Sequence, residues 1–248
     1  MKAGWHTEPM VGFDSETTGL VYDQDWILTI STPLVVPGGR TPITHNNWLV
    51  DPGVPVPAGA TQINGLTTEY VQTHGMDIRQ GLSEAVAYMA AALSTGTPLV
   101  GMNLPYDLTM LDRNCRRLGI ATLEDVLGAE IAPCIDVLVL DKQLVPKRKG
   151  VGARRLGKLC EYYRADPGDA HSSASDALAA VRVAWRLAHV FPDLARLDLN
   201  DLHNRQVEWK KTQDASFAVW LHSQGKPPKD CDGQWPIRRW TPDRTEDT

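Results

Sequence analysis

Apolar residues recur in short β-branched runs over the first fifty positions of this chain, and at every third or fourth position from about residue 78 onward. Runs of the first kind predict strands and runs of the second kind predict amphipathic helices, because side chains alternate faces along an extended chain and return to one face every 3.6 residues in a helix. Met10-Val11-Gly12-Phe13 is the first apolar run. Trp26 to Val36, with Ile27, Thr29, Ile30 and Thr32, predicts a long strand ending at Pro37-Gly38-Gly39. Asn46 to Val50 predicts another, before the proline-rich stretch Asp51 to Pro57. Helices are predicted over Ile78 to Leu93, Tyr106 to Leu118, Gly152 to Tyr163 and Ser172 to Val190, with short strands at Pro98 to Gly101 and near Ile131 to Ile135. Strands first, then alternating helices and strands, imply an α/β domain with a mixed sheet and helices packed on it. The chain carries no internal repeat.

Onto that frame the sequence places three polar clusters. Asp14-Ser15-Glu16-Thr17-Thr18-Gly19 follows the first apolar run. If that run is a strand, Asp14 and Glu16 share a face with Ser15 opposite, and two carboxylates so close call for a proton or a hard divalent cation. Next, Pro98 to Leu108 reads as a strand, a polar break at Asn103, and a helix with Pro105 at its start and Asp107 in its first turn. Last, His171-Ser172-Ser173-Ala174-Ser175-Asp176 opens an apolar helix. Five residues are about 140° off in a continuous helix, so His171 meets Asp176 only from the preceding loop, and Asp169, Ser172 and Ser173 suit a helix start. Each acid also has a plain structural role open to it: Asp176 at N3 of a helix capped by Ser173, and Asp107 beside the helix dipole.

The order Asp-x-Glu-Thr-Thr-Gly, Asn-x-x-x-Asp, His-x-x-x-x-Asp resembles the DEDD superfamily of 3′-5′ exonucleases, in the histidine-bearing, DnaQ-like branch that includes the proofreading epsilon subunit of bacterial DNA polymerase III. The resemblance runs from about Glu8 to Ala188. It implies a ribonuclease H-like fold, metal-binding acids at Asp14, Glu16, Asp107 and Asp176, and a general base at His171. Two ions, Mg²⁺ or Mn²⁺, are the cofactors it implies. Ile63-Asn64-Gly65-Leu66-Thr67 is similar to the family's substrate-side segment, although Asn64 stands where a histidine is usual, and Met102 departs likewise before Asn103. Substrate contacts are expected from Thr17, Thr18, Gly19, Leu20, Asn64, Gly65, Leu66, Asn103 and Tyr106. The activity implied is removal of nucleoside monophosphates from single-stranded or frayed DNA 3′ ends. RNA trimming is the alternative within the class, since oligoribonuclease and ribonuclease T carry similar motifs, and an idle scaffold or polymerase-docking subunit is the alternative outside it.

The remaining features narrow the setting. At 248 residues and 42% hydrophobic content the chain can bury one good core and carry an extension. The expected division is an exonuclease domain over 1–190 and a helical, Trp/Pro-rich extension over 191–248. In that extension Leu202 to His222 reads as a helix with Phe217 on its core face. Trp235 and Trp240 are expected to pack on the main domain, with base stacking or partner docking as other uses. The net charge of −5 is low for a tight duplex binder, but Lys147, Arg148, Lys149, Arg154, Arg155 and Lys158, and Arg113, Arg116 and Arg117, form local basic patches. These are either a nucleic-acid surface or solvated faces. No apolar stretch is long enough to span a bilayer, and the start lacks a signal peptide's apolar core. The four scattered cysteines, Cys115, Cys134, Cys160 and Cys231, read as reduced thiols, so a cytoplasmic setting is expected; with the family resemblance, that is the cytoplasm of a bacterium or of a bacteriophage's host.

Overall fold

The computed structural model describes residues 4–36, 44–168 and 172–241. Its sheet is built on one antiparallel pair that is interrupted midway. The first segment forms β1 (Met10–Gly12) and β2 (Asp14–Thr17), and the second forms β3 (Ile27–Ser31) and β4 (Leu34–Val35). Met10 faces Val35, Val11 faces Leu34 and Asp14 faces Ser31, so one register holds on both sides of the gap. The single long strand expected over Trp26 to Val36 is thereby corrected to two. Pro33 is the cause: it has no N–H to give to the ladder, although its carbonyl still accepts from Gly12 N at 2.9 Å.

On one side of this pair, β5 (Asn47–Asp51) runs antiparallel to β3 and parallel to β6 (Met76–Asp77). On the other side, β7 (Leu99–Gly101) runs parallel to β1, and β8 (Cys134–Asp136) runs parallel to β7. Two short helices, α1 (Ala58–Asn64) and α2 (Thr68–His74), precede α3 (Ile78–Ser94); α4 (Leu104–Leu118), α5 (Leu123–Leu127), α6 (Val137–Leu144), α7 (Leu156–Tyr163) and α8 (Ser173–Val190) follow. A turn, α9 (Pro192–Ala195), leads to the 25-residue α10 (Leu199–Ser223).

Strand alternation divides the core between two layers. Val11, Phe13, Leu99 and Cys134 pack with Leu82 and Met89 of α3 and Leu108 and Met110 of α4. Met10, Val100 and Ile135 pack on the other face with Leu140 of α6, Leu159 of α7 and Val183 and Leu187 of α8. Burying each large apolar side chain contributes about 1.5–3 kcal/mol, which is what holds a polar site against the sheet's end. Three readings shift at this level. The helix expected from Gly152 begins only at Leu156, because Gly150 and Gly152 hold positive φ and Arg154 is drawn to Asp141. Helix α8 is capped by Ser172, not Ser173, so Ser175 takes the N3 place and Asp176 the next. The turn expected at Pro37-Gly38-Gly39 lies outside the described residues.

Beyond residue 190, α10 lies along β8 and α6 with Leu202 fully buried. Trp235 and Ile237 enter the main core, whereas Trp240 stays half exposed beside the Arg116 guanidinium, 5.0 Å from its ring. Phe217 does not face the core as expected. It is exposed and stacks on Trp220 at 5.5 Å, because Leu202, Gln206, Lys210 and Asp214 form the buried stripe of α10.

Candidate active site

Phe13 is the last fully buried apolar residue of its segment, and Asp14 opens β2 where the sheet meets two helices. Residues directly opposite in an antiparallel pair share a face. Thr29 and Ser31, opposite Glu16 and Asp14, bond through their hydroxyls to Ser173 Oγ of α8 at 2.9 and 2.7 Å, so Asp14 and Glu16 face the start of α8. Gly12 lets that helix come close, since a Cβ there would stand 2.7 Å from the carbonyl oxygen of Ala177. Asp176, the residue before Ala177, is thus brought to the strand. One carboxylate oxygen each from Asp14, Glu16 and Asp176 lie within 4.8 Å of one another.

Asp107 arrives from the opposite face. It is buried in the first turn of α4, and its Oδ1 accepts from Ser15 Oγ at 2.6 Å and Ser15 N at 3.1 Å. The structure therefore brings three of the four expected acids into one ligand-sized group and holds the fourth behind it, through the strand residue between Asp14 and Glu16. The electrostatics show that all four sense one another. Burial pushes Asp14 well above the usual carboxylate range, with the charges of Asp107, Asp176 and Glu16 adding to the push. Burial first and Asp176 second raise Glu16 to about 7, and burial raises Asp107 to about 7 against the pull of the Ser15 hydrogen bonds. A group of carboxylates that resists ionisation, made of hard oxygens with no sulfur or imidazole among its described members, fits a divalent cation such as Mg²⁺ or Mn²⁺.

The expected substrate-side residues divide by role. Thr17 Oγ1 and Tyr106 Oη share a 2.7 Å hydrogen bond, and both reach the Gly19 carbonyl, at 2.7 and 2.8 Å. Asn64 holds the loop after α1 against this wall through Nδ2 to Thr17 O at 3.4 Å, and its Oδ1 accepts from Leu66 N across Gly65, which needs its left-handed φ of 75°. Leu20 and Ile63 expose apolar side chains beside these bonds, 78% and 71% accessible. Asn103 is exposed at the start of α4. Thr18 differs: it is buried, donates to Asp25 Oδ1 and accepts from Trp26 N, so it braces the turn and presents nothing to solvent. His171 and Asp169 lie outside the described residues.

Five of the expected arginines are engaged by neighbours within the chain, although Arg116 and Arg117 remain exposed. Arg148 and Arg154 pair with the fully buried Asp141, Arg113 and Arg116 pair with Asp112, and Arg117 stacks 3.8 Å over the Trp26 ring. Lys147, Lys149, Arg155 and Lys158 stay exposed. Two residues near the site have partners that the sequence pattern does not assign: Ser15, whose face follows from strand alternation but whose bond to Asp107 does not, and Asp136. Asp136 is buried at the end of β8, where it accepts from the first N–H groups of α4 and α6. Its signal was a lone acid directly after an apolar strand, the same pattern that marked Asp14.

A model of the exonuclease family (RNase_T) matches residues 11–184. The PolC-type DNA polymerase III of Lacticaseibacillus paracasei is 28% identical over 219 residues, which are 86% of this chain and 14% of that polymerase. The PolC-type enzyme of Streptococcus agalactiae serotype III is 28% identical over 223 residues, 88% of this chain and 14% of its own length. The chain thus spans a small fraction of the curated relatives it matches. Among solved structures, Escherichia coli exonuclease I in complex with a dT13 oligonucleotide superposes with a TM-score of 0.61 at 16% identity, covering 75% of this chain and 43% of that one. Exonuclease X in complex with 5′-overhanging duplex DNA gives 0.54 at 16% identity, covering 80% and 98%. At these identities the likeness is one of fold: a mixed sheet with helices on both faces, the ribonuclease H-like arrangement.

Proposed function

This chain belongs to the DnaQ-like exonuclease family, and from that premise we propose that it removes nucleoside monophosphates from single-stranded or frayed DNA 3′ ends with the help of two divalent ions, Mg²⁺ or Mn²⁺. The observation that supports this reading most is the group formed by Asp14, Glu16 and Asp176, with Asp107 held behind it by Ser15. Two ions about 4 Å apart would supply an activated water and relief of charge on the phosphate oxygens. The chain's own part is to hold those ions with Asp14, Glu16, Asp176 and Asp107. Its second part is to take a proton from the attacking water at His171, which the family motif assigns as base, with a reference pKa near 6.5.

Leu20 and Ile63 offer an apolar rim on which the terminal base can rest, and the bonds of Asn64 and Tyr106 to Thr17 tie that rim to the strand that carries Asp14 and Glu16. DNA is favoured over RNA because the PolC-type relatives are DNA polymerases and the two structural neighbours above were solved with DNA. A polymerase partner, a catalytic unit over 1–190 with its extension over 191–248, and a cytoplasmic setting belong to the same proposal. Among the described residues no helix is long and apolar enough to cross a membrane.

The test is a set of 5′- and 3′-labelled single strands of DNA and RNA with one sequence, each incubated with Mg²⁺, Mn²⁺ or EDTA. A ladder of shortening products from 5′-labelled DNA, abolished by EDTA, is expected. Undiminished hydrolysis in excess EDTA overturns the metal assignment, and faster shortening of RNA moves the substrate to the alternative polymer.

A further inference from the structure

Residues 235–238, far from the motifs in sequence, are tied to the helix that carries Asp107. Trp235 is buried, and its Nε1 donates to Asp136 Oδ2 at 3.3 Å. The same carboxylate accepts from Asn103 N and Leu104 N, each at 3.0 Å, and so holds the first turn of α4. Asn103 there keeps a positive φ of 65°, a conformation that side-chain-bearing residues hold only when their surroundings fix it. One turn further along, Arg238 N donates to Thr109 Oγ1 at 3.0 Å, and Arg113 Nη2 donates to Arg238 O at 3.1 Å. Asp107 lies between these anchors. The Arg238 guanidinium also covers the Tyr22 ring at 5.3 Å, and Tyr22 packs 5.8 Å from Tyr106, the residue next to Asp107.

We infer that the C-terminal segment is a positioning element of the active site: Trp235, through Asp136, and Arg238, through Thr109, set where α4 holds Asp107 relative to Asp14 and Glu16. Ser15 fixes the carboxylate to β2, and the tail fixes the helix that presents it. The inference rests on the exonuclease reading for its kinetic consequence. A misplacement of about 1 Å at a reacting centre costs up to about 10²-fold in rate, so even a slack anchor is measurable.

The experiment compares full-length Trp235→Phe and Thr109→Val with Trp5→Phe. Trp5 is the matched control: it is also buried and also donates through Nε1, to Leu194 O at 3.1 Å, beside the end of α8 remote from Asp176. Melting temperature, kcat and KM on a 5′-labelled single strand, and amide exchange at Asn103 and Leu104 are measured for each. Trp235→Phe and Thr109→Val are expected to lower kcat about tenfold with KM little changed. Trp5→Phe should lose similar stability and keep the parental kcat, and exchange at the two amides should quicken in Trp235→Phe alone. If Trp235→Phe and Thr109→Val lose no more kcat than Trp5→Phe does, the segment is a structural brace and the inference fails. A parent that hydrolyses no nucleic acid removes the exonuclease reading, while the exchange comparison still decides the positioning claim: equal exchange in Trp235→Phe and Trp5→Phe overturns it.

Discussion

Single residues at the site have separable duties. Asp14 belongs to the carboxylate group proposed to hold the ions, whereas the family motif assigns His171 as the base, so the two should fail differently when changed. Asp14→Asn is expected to bind Mn²⁺ poorly in calorimetric titration. His171→Ala should still titrate the ion, yet lose about 10²–10⁴-fold in rate, the range for a positioned general base. Near-parental turnover by His171→Ala at neutral pH would remove that residue from the mechanism. The acids themselves were legible because each follows an apolar strand or opens a helix, patterns that need only a few neighbours to recognise. The bond from Ser15 to Asp107 was not, since it joins residues 92 apart and depends on how two elements pack.

At the scale of elements, the site exists because α8 touches β1 closely enough for Asp176 to reach Asp14, and Gly12 is what permits the approach. Gly12→Ala would put a methyl group 2.7 Å from a backbone oxygen, so either the helix or the strand must move. A stability loss of about 1–3 kcal/mol is expected by analogy with overpacked cores. Thermal melting measures that loss, and a weaker Mn²⁺ affinity in the still-folded fraction shows that Asp176 has moved. Unchanged affinity would mean the shift is taken up elsewhere. Long elements were legible: α3, α4 and α8 run over 17, 15 and 18 residues and give the helical period several turns in which to show. Helices α1 and α2, with seven residues each, do not, and α1 sits directly after a proline-rich stretch that reads as loop. The gap between β3 and β4 required knowing that Pro33 lies inside a ladder, which follows from pairing and not from the run of β-branched residues.

For the whole molecule, charge organisation sets the pH behaviour. A net charge of −5 coexists with arginines spent on Asp112 and Asp141, so the acids around Asp14 receive little help from neighbouring cations. Glu16 and Asp107 titrate near 7 in the fold, and Asp14 is raised well above its ordinary value, against about 4 for such groups in an unfolded chain. Between about 4 and 7 the folded protein therefore binds more protons than the unfolded one, and stability falls as pH rises through that window and stays reduced above it. In EDTA the melting temperature should accordingly be lower at pH 8 than at pH 5.5. Mn²⁺ should restore it at pH 8 and do much less at pH 5.5, where protons already occupy the ligand oxygens. Asp14→Asn, by removing one of the repelling charges, should melt higher than the parent in EDTA at pH 8 while gaining least from the ion. Each ~1 kcal/mol recovered corresponds to about 2–4 °C in a chain of this size, well within the reach of differential scanning fluorimetry. A metal-free melting temperature that rises from pH 5.5 to pH 8, or an equal gain from Mn²⁺ at both, would show that the four carboxylates do not strain one another and that their gathering at the end of β1 is not what a cation relieves.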